Sequence, residues 1–147
     1  MRNVFIIVIK FHKPAIIQHL TTDCVLINSM LQVIFSEQLQ DSEYIEKHTQ
    51  GFEALKKVCE KFPPEIAQHQ CGIDEGTIRQ VARLYANAGA AMSIWTMGIN
   101  QSTHGSDGVA NINNLNLVTG NIGKPGGTSL SITGQCNAMG TREWSSC

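Results

Sequence analysis

Residues 4–9 (VFIIVI) form a continuous apolar, β-branched run, the pattern of a strand buried on both faces in a parallel sheet. Residues 10–14 break it. From Asp23 the pattern changes to helical spacing. Asp23 is placed to cap a helix reaching about Leu39, with Leu26, Met30, Val33 and Ile34 as its buried stripe. A short helix follows from Ser42 through Tyr44 and Ile45, closing near Gly51. Residues 52–62 read as a further amphipathic helix with Leu55, Val58 and Cys59 inward, stopped by Pro63 and Pro64. Asp74 opens the clearest helix, in which Ile78, Val81, Ala82 and Tyr85 recur at helical spacing up to Ala88 and Gly89. Residues 90–96 (AAMSIWT) predict a strand, and residues 106–118 a second helix with Ile112, Leu115 and Val118 on its apolar face. That helix carries Asn111, Asn113, Asn114 and Asn116, which are poor helix formers. Beyond Gly120 the sequence predicts little regular structure. Helix, strand, glycine-rich loop and helix in this order predict an α/β fold with a Rossmann-like αβα layering.

Residues 90–147 are rich in glycine and amides, a composition suited to wrapping a large polar ligand with backbone rather than to core building. Three segments present the glycine turns through which backbone N–H groups converge on an anion: 97–105, 120–128 and 133–140. The first follows a strand, where open α/β sheets bind ligands. None matches a Walker A loop or GxGxxG. His104 lies in the first segment, as ready to meet a ligand as to face solvent.

Composition narrows the classes further. The chain has 147 residues, enough for one modest domain or part of one. Eleven Lys and Arg face twelve Asp and Glu, for a net charge of -1, so no nucleic-acid footprint is visible. Charged residues make up 16%, low for a free-standing surface, which predicts that other protein covers part of it. The five cysteines, at 24, 59, 71, 136 and 147, have no CxxC spacing, and the histidines form no spaced metal set. Free thiols and no metal ligand within the chain are expected. Residues 4–9 are too short to span a bilayer, and no small-residue cleavage site follows them. No Ser-His-Asp arrangement is visible, and the residues taken alone stop at a cofactor-binding α/β segment.

The segments MLQVIFSEQLQDSEYIEKHTQGFEALKK, MGINQ, NNLNLVTGNIGKPGG and TGQCNAMGTRE together resemble the molybdopterin-dependent oxidoreductases of the bis-molybdopterin guanine dinucleotide branch. The TGQxNAMGxRE form looks most like assimilatory nitrate reductases. Formate dehydrogenases of this family carry arginine two residues before the glutamine, in an RGQNN pattern; here Thr133 stands there. The resemblance implies catalytic roles for Gln135, whose amide would donate to a cofactor or substrate oxygen, and for Thr133 beside it. It implies cofactor binding by Gly98, Asn100, Gln101, Gly134, Gln135 and Asn137. Cys136 occupies a variable position in that block and is not a metal ligand. Residues 1–20 match poorly: Leu20, Thr21, Thr22 and Asp23 stand where relatives have proline-glycine-threonine-aspartate.

The implied parent reduces nitrate to nitrite with molybdenum held by bis-molybdopterin guanine dinucleotide. A 4Fe-4S cluster, with ligands outside this chain, resupplies electrons from ferredoxin, flavodoxin or an NADH-linked subunit. The chain then reads as a partial domain, 1–147, of a longer cytoplasmic polypeptide whose remainder is its first partner, with no nucleic-acid or membrane partner. A formate dehydrogenase-like fragment and an inactive remnant module are the alternatives.

Overall fold

A computed structural model describes residues 22–132 and Gly134. In chain order the elements are α1 (Asp23–Ser36), α2 (Ser42–His48), α3 (Phe52–Cys59), α4 (Pro64–Cys71), α5 (Glu75–Ala86), β1 (Met92–Trp95), α6 (Met97–Asn100), α7 (Gly105–Val118) and β2 (Thr128–Ser131). The expected strand at residues 4–9 lies outside the described residues.

α1 is apolar on nearly every side, and that decides where it sits. Leu26, Ile27, Met30, Leu31, Val33 and Ile34 are all buried, and α3, α4, α5 and α7 pack around it. A helix with no polar face is stable only inside such a ring. Its cap differs from expectation. Thr22 is the N-cap and makes no side-chain cap bond, while Asp23 is the first helical residue and is buried. An acidic group in the first turn still suits the positive end of the helix. Phe35 near its end meets Phe52 of α3 edge to face, ring centroids 5.3 Å apart.

The sequence reading has Pro63 and Pro64 stop the preceding helix, and α3 does end before them. Pro64 also opens a helix that reading did not include, α4, at the first helical position where its missing N–H is no loss. Gly72, with φ of 71°, closes that helix. In α3, Cys59 is fully buried and Leu55 packs on the core, but Val58 is 46% exposed. α5 follows its sequence pattern: Asp74 accepts from the Thr77 N–H at 3.1 Å, and Ile78, Val81, Ala82 and Tyr85 face inward.

β1, α7 and β2 form a parallel βαβ unit, with Met92 opposite Thr128 and Trp95 opposite Ser131. β2 was not legible as a strand because its TSLS sequence has little β signal; pairing to β1 makes it one. One face of the sheet lies on α5 and α7. There Tyr85 Oη lies 2.7 Å from Ser93 Oγ and donates to Asn116 Oδ1 at 2.9 Å; Asn116 Nδ2 donates to Ser93 Oγ at 2.9 Å and to the Ile112 carbonyl at 2.8 Å. Asn116 is therefore a helix-weakening residue kept for a fully buried polar junction of α5, α7 and β1.

Burial pushes the Tyr85 phenol up from 10.0 to about 12, against a smaller opposing effect of its Ser93 hydrogen bond. Burial likewise pushes the Cys59 thiol up from 9.0 to about 12. Both groups keep their protons in the folded chain at pH values where the unfolded chain releases them. Folding stability therefore falls as pH rises from about 9 toward 12. Denaturant midpoints measured across that window should decline, and Tyr85→Phe should flatten the part above pH 10. Asn116→Ala leaves the Tyr85 and Ser93 hydroxyls with only each other and should cost about 1–3 kcal/mol, read from chemical unfolding at neutral pH.

Candidate functional site

Parallel strands put their carboxyl ends together, and the loops that leave those ends are the ligand side of an open α/β sheet. Here the chain leaving β1 turns at once into α6. The Ile99 N–H bonds the Thr96 carbonyl at 3.0 Å, the Gln101 N–H bonds the Met97 carbonyl at 3.1 Å, and Ser102 Oγ bonds the Ile99 carbonyl at 3.0 Å. Ile99 is buried and pins this turn to the core. The expected loop over 97–105 is thus a helical turn plus a short connection into α7.

Among the residues expected to bind cofactor, Gly98 is half-buried and Asn100 and Gln101 are exposed on this turn. Gly134, beyond β2, comes to the same place: a Cβ on it would lie 2.7 Å from Met97 Cε. The structure therefore brings Gly98, Asn100, Gln101 and Gly134 to one end of the sheet. Thr133, Gln135, Asn137 and Cys136 lie outside the described residues. His104 is 78% exposed, with Nδ1 at 3.7 Å from Asp107 Oδ2, a loose surface contact within one helical turn.

Gly105, the last residue of the 97–105 segment, and Gly108, which the sequence reading did not name, set the geometry. A Cβ on Gly105 would sit 2.4 Å from the Asn100 carbonyl oxygen, and one on Gly108 would sit 2.9 Å from Ile99 Cγ2. Their absence of side chains lets α7 close against α6. The signal for them is the GSDG spacing at the start of α7. The positive end of α7 is thereby held beside the exposed amides of the turn.

The second glycine segment does not face this end. Asn121 Oδ1 accepts from the Ala91 N–H at 2.9 Å, and the Thr128 N–H bonds the Ala91 carbonyl at 3.3 Å. Residues 120–127 therefore close the amino end of the sheet, opposite the ligand side. Their glycines answer local needs: Gly120 has φ of 59° and Gly123 of 87°, and a Cβ on Gly127 would lie 2.4 Å from the Asn121 carbonyl oxygen. An apolar groove lined by Ile45, Phe52, Leu55, Leu117 and Val118 also lies toward this end of α7.

Thiol chemistry is muted in the described part. Burial first, and then the Asp23 carboxylate, push the Cys24 and Cys71 thiols up, so both are protonated at neutral pH and poor ligands. Among the described residues no group of three or more His, Cys, Asp and Glu is arranged to hold a metal. Exposed amides and bare glycine backbone instead suit a large polar organic group rich in oxygen and nitrogen.

The molybdopterin oxidoreductase family profile matches residues 6–143. The F420-dependent formate dehydrogenase subunit alpha of Methanocaldococcus jannaschii is 44% identical over 119 residues, covering 81% of this chain and 18% of that protein. The nitrate reductase of Synechocystis sp. is 39% identical over 122 residues, covering 83% and 17%. In structure, acetylene hydratase from Pelobacter acetylenicus superposes with a TM-score of 0.69 at 26% identity, over 74% of this chain and 15% of that one. The chain thus spans less than a fifth of the length of these relatives. They include both formate dehydrogenases and nitrate reductases, so the match does not single out the assimilatory nitrate reductases.

Gly105→Ala must displace the Asn100 carbonyl and should destabilise the chain by about 1–3 kcal/mol, with faster amide exchange through 99–102. Gly89→Ala, where an added Cβ meets nothing within 4 Å, should leave thermal unfolding and that exchange nearly unchanged.

Proposed function

The chain belongs to the molybdopterin oxidoreductase family, and from that premise we propose that it forms one wall of the cofactor site in a larger enzyme that reduces nitrate to nitrite. The family supports a molybdenum–pterin cofactor; we assign it to the bis-molybdopterin guanine dinucleotide type. The residues at the carboxyl end of the sheet suit it, with Gly98 and Gly134 giving bare backbone and Asn100 and Gln101 giving exposed amides. Gln135 donates its amide to a cofactor or substrate oxygen, Thr133 and Gly134 aim it, and Asn137 adds a further amide.

When bound, the cofactor supplies two-electron oxygen-atom transfer, and a 4Fe-4S cluster held by residues outside this chain resupplies the electrons. This chain's part is to bind, orient and exclude water around that group. The electron donor is ferredoxin, flavodoxin or an NADH-linked subunit, and the setting is cytoplasmic. No helix among the described residues is long and apolar enough to cross a membrane.

The observation that carries the nitrate reading is Thr133. A formate-oxidising site of the RGQNN pattern would place a guanidinium there to pair with a carboxylate; threonine offers a neutral hydroxyl. The second reading, formate oxidation, is supported by the 44% identity to a formate dehydrogenase subunit. Much of the described framework serves packing, and packing does not choose between the two substrates.

A parent polypeptide carrying this segment, purified without oxygen and supplied with reduced viologen dye, is expected to turn over nitrate and to leave formate unoxidised. Formate-dependent dye reduction without nitrate turnover would establish the second reading instead. The 147-residue chain alone should neither retain molybdenum nor reduce nitrate. Stoichiometric metal by elemental analysis after anaerobic reconstitution would overturn that expectation, and with it the view that the cofactor needs walls from elsewhere.

A further inference from the structure

α3 buries less of its apolar stripe than its sequence provides. Phe52, Leu55, Val58 and Cys59 recur at helical spacing, and such a stripe ordinarily faces a core across its whole width. Only one edge of this one does. Cys59 is fully buried, with Sγ 3.9 Å from Asn28 Oδ1 of α1, and Phe52 meets Phe35. The other edge, with Leu55 half-buried and Val58 46% exposed, faces the apolar groove.

The groove is a gap between two helices. α3 packs on α1, α7 packs on α1 and α2, and α3 and α7 share no comparable packing. Leu117 and Val118 of α7 and Ile45 of α2 complete the lining of a space of about 310 Å³. No charged or titratable side chain lines it, so it is not built to hold an ion or move a proton. Its volume is at the small end for a ligand pocket and suits the side chains of another polypeptide segment.

The walls select a helix. They are themselves helices, whose backbone groups are already paired. An extended segment laid between them would bury N–H and C=O groups with few partners. A helix brings its own backbone hydrogen bonds and offers apolar anchors at i, i+3, i+4 and i+7. A second copy of this chain is a poor source of it. On the described helices the large exposed apolar side chains are Val58 of α3 and Ile66 of α4, so none presents a ridge of them. Sequence outside this chain is the better source, since the chain spans 18% and 17% of the formate dehydrogenase subunit and nitrate reductase it resembles.

We propose that the groove between α3 and α7 seats an amphipathic helix from the part of the parent polypeptide outside this chain, an inference that rests on the larger-enzyme part of the function proposed above and not on its substrate. The apolar side of that helix covers Leu55, Val58 and Leu117 and completes the stripe of α3. The seat lies toward the end of α7 remote from Gly98, Asn100 and Gln101, so it joins the segment to its parent without touching the ligand side.

Val58→Glu tests the proposal, because a carboxylate is tolerated on an exposed surface and costly in an occupied apolar groove. In the 147-residue chain it should leave thermal unfolding nearly unchanged. In the parent it should lower the melting temperature. Amide exchange mapped by mass spectrometry should also accelerate about tenfold or more in one stretch outside this segment, with apolar residues every three or four positions. Val58→Ile should match the unsubstituted parent in both measurements. No accelerated stretch outside the segment, or one with apolar residues at every second position, would overturn the proposal. So would an equal loss of stability in the 147-residue chain, or a native polypeptide that ends at the bounds of this chain. Protection that disappears on dilution would overturn it in favour of a second copy. If the 147-residue chain does not fold by itself, the exchange map of the parent decides alone. A parent that oxidises formate yet shows the accelerated stretch would remove the nitrate reading and leave the docked helix standing.

Discussion

The structure depends on one buried asparagine. Asn116 is wholly inaccessible, sits near the end of α7, and holds Tyr85 of α5 and Ser93 of β1 at once. A polar group so placed is tolerable only with its donors and acceptor satisfied, which restricts the helices and the strand to a single mutual placement. Asn121 extends the constraint to the amino end of the sheet, where its amide accepts from Ala91 and donates to Thr119 Oγ1. Hydrophobic burial around α1 favours compaction of many kinds. The two asparagines select one of them.

With the amino end fixed in this way, the carboxyl end is free to carry chemistry. α6 is anchored from below by Ile99 and from the side by the close approach of Gly105, while Gly98, Asn100 and Gln101 stay accessible above. The part that packs and the end proposed to meet a ligand are therefore separated along the strand direction. Such a separation lets relatives named for formate and for nitrate chemistry share this framework. Under the proposed function, substrate choice rests on a few side chains in the loops at that end.

What the sequence made legible follows from the strength of local signals. α5 carries a capping aspartate and a clean apolar stripe, and both serve as read. α4 was hidden because Pro64 reads as a stop when it follows a helix and as a start when it precedes one. β2 was hidden because Thr128 and Ser129 have no meaning as strand residues until β1 lies beside them. At the site, the 97–105 segment was legible from its place after a strand, but the individual roles of Gly98, Asn100 and Gln101 came only from family likeness. The glycines of 120–127 looked like an anion loop, and only the hydrogen bond from Ala91 to Asn121 shows that they bridge the far end of the sheet. Spacing reveals turns; it does not reveal which end of a sheet a turn occupies.

The outer face of the sheet has a consequence for the life of this polypeptide. Met92, Ile94, Leu130 and Ile132 are each between 39% and 50% exposed, and their strands place them on one side. Parallel sheets are normally covered on both faces, and a bare apolar face is a hazard for self-association. Such a face favours association with any other apolar surface it meets. The burden falls on timing during synthesis: whatever shields these four side chains must reach them before another molecule of the same kind does.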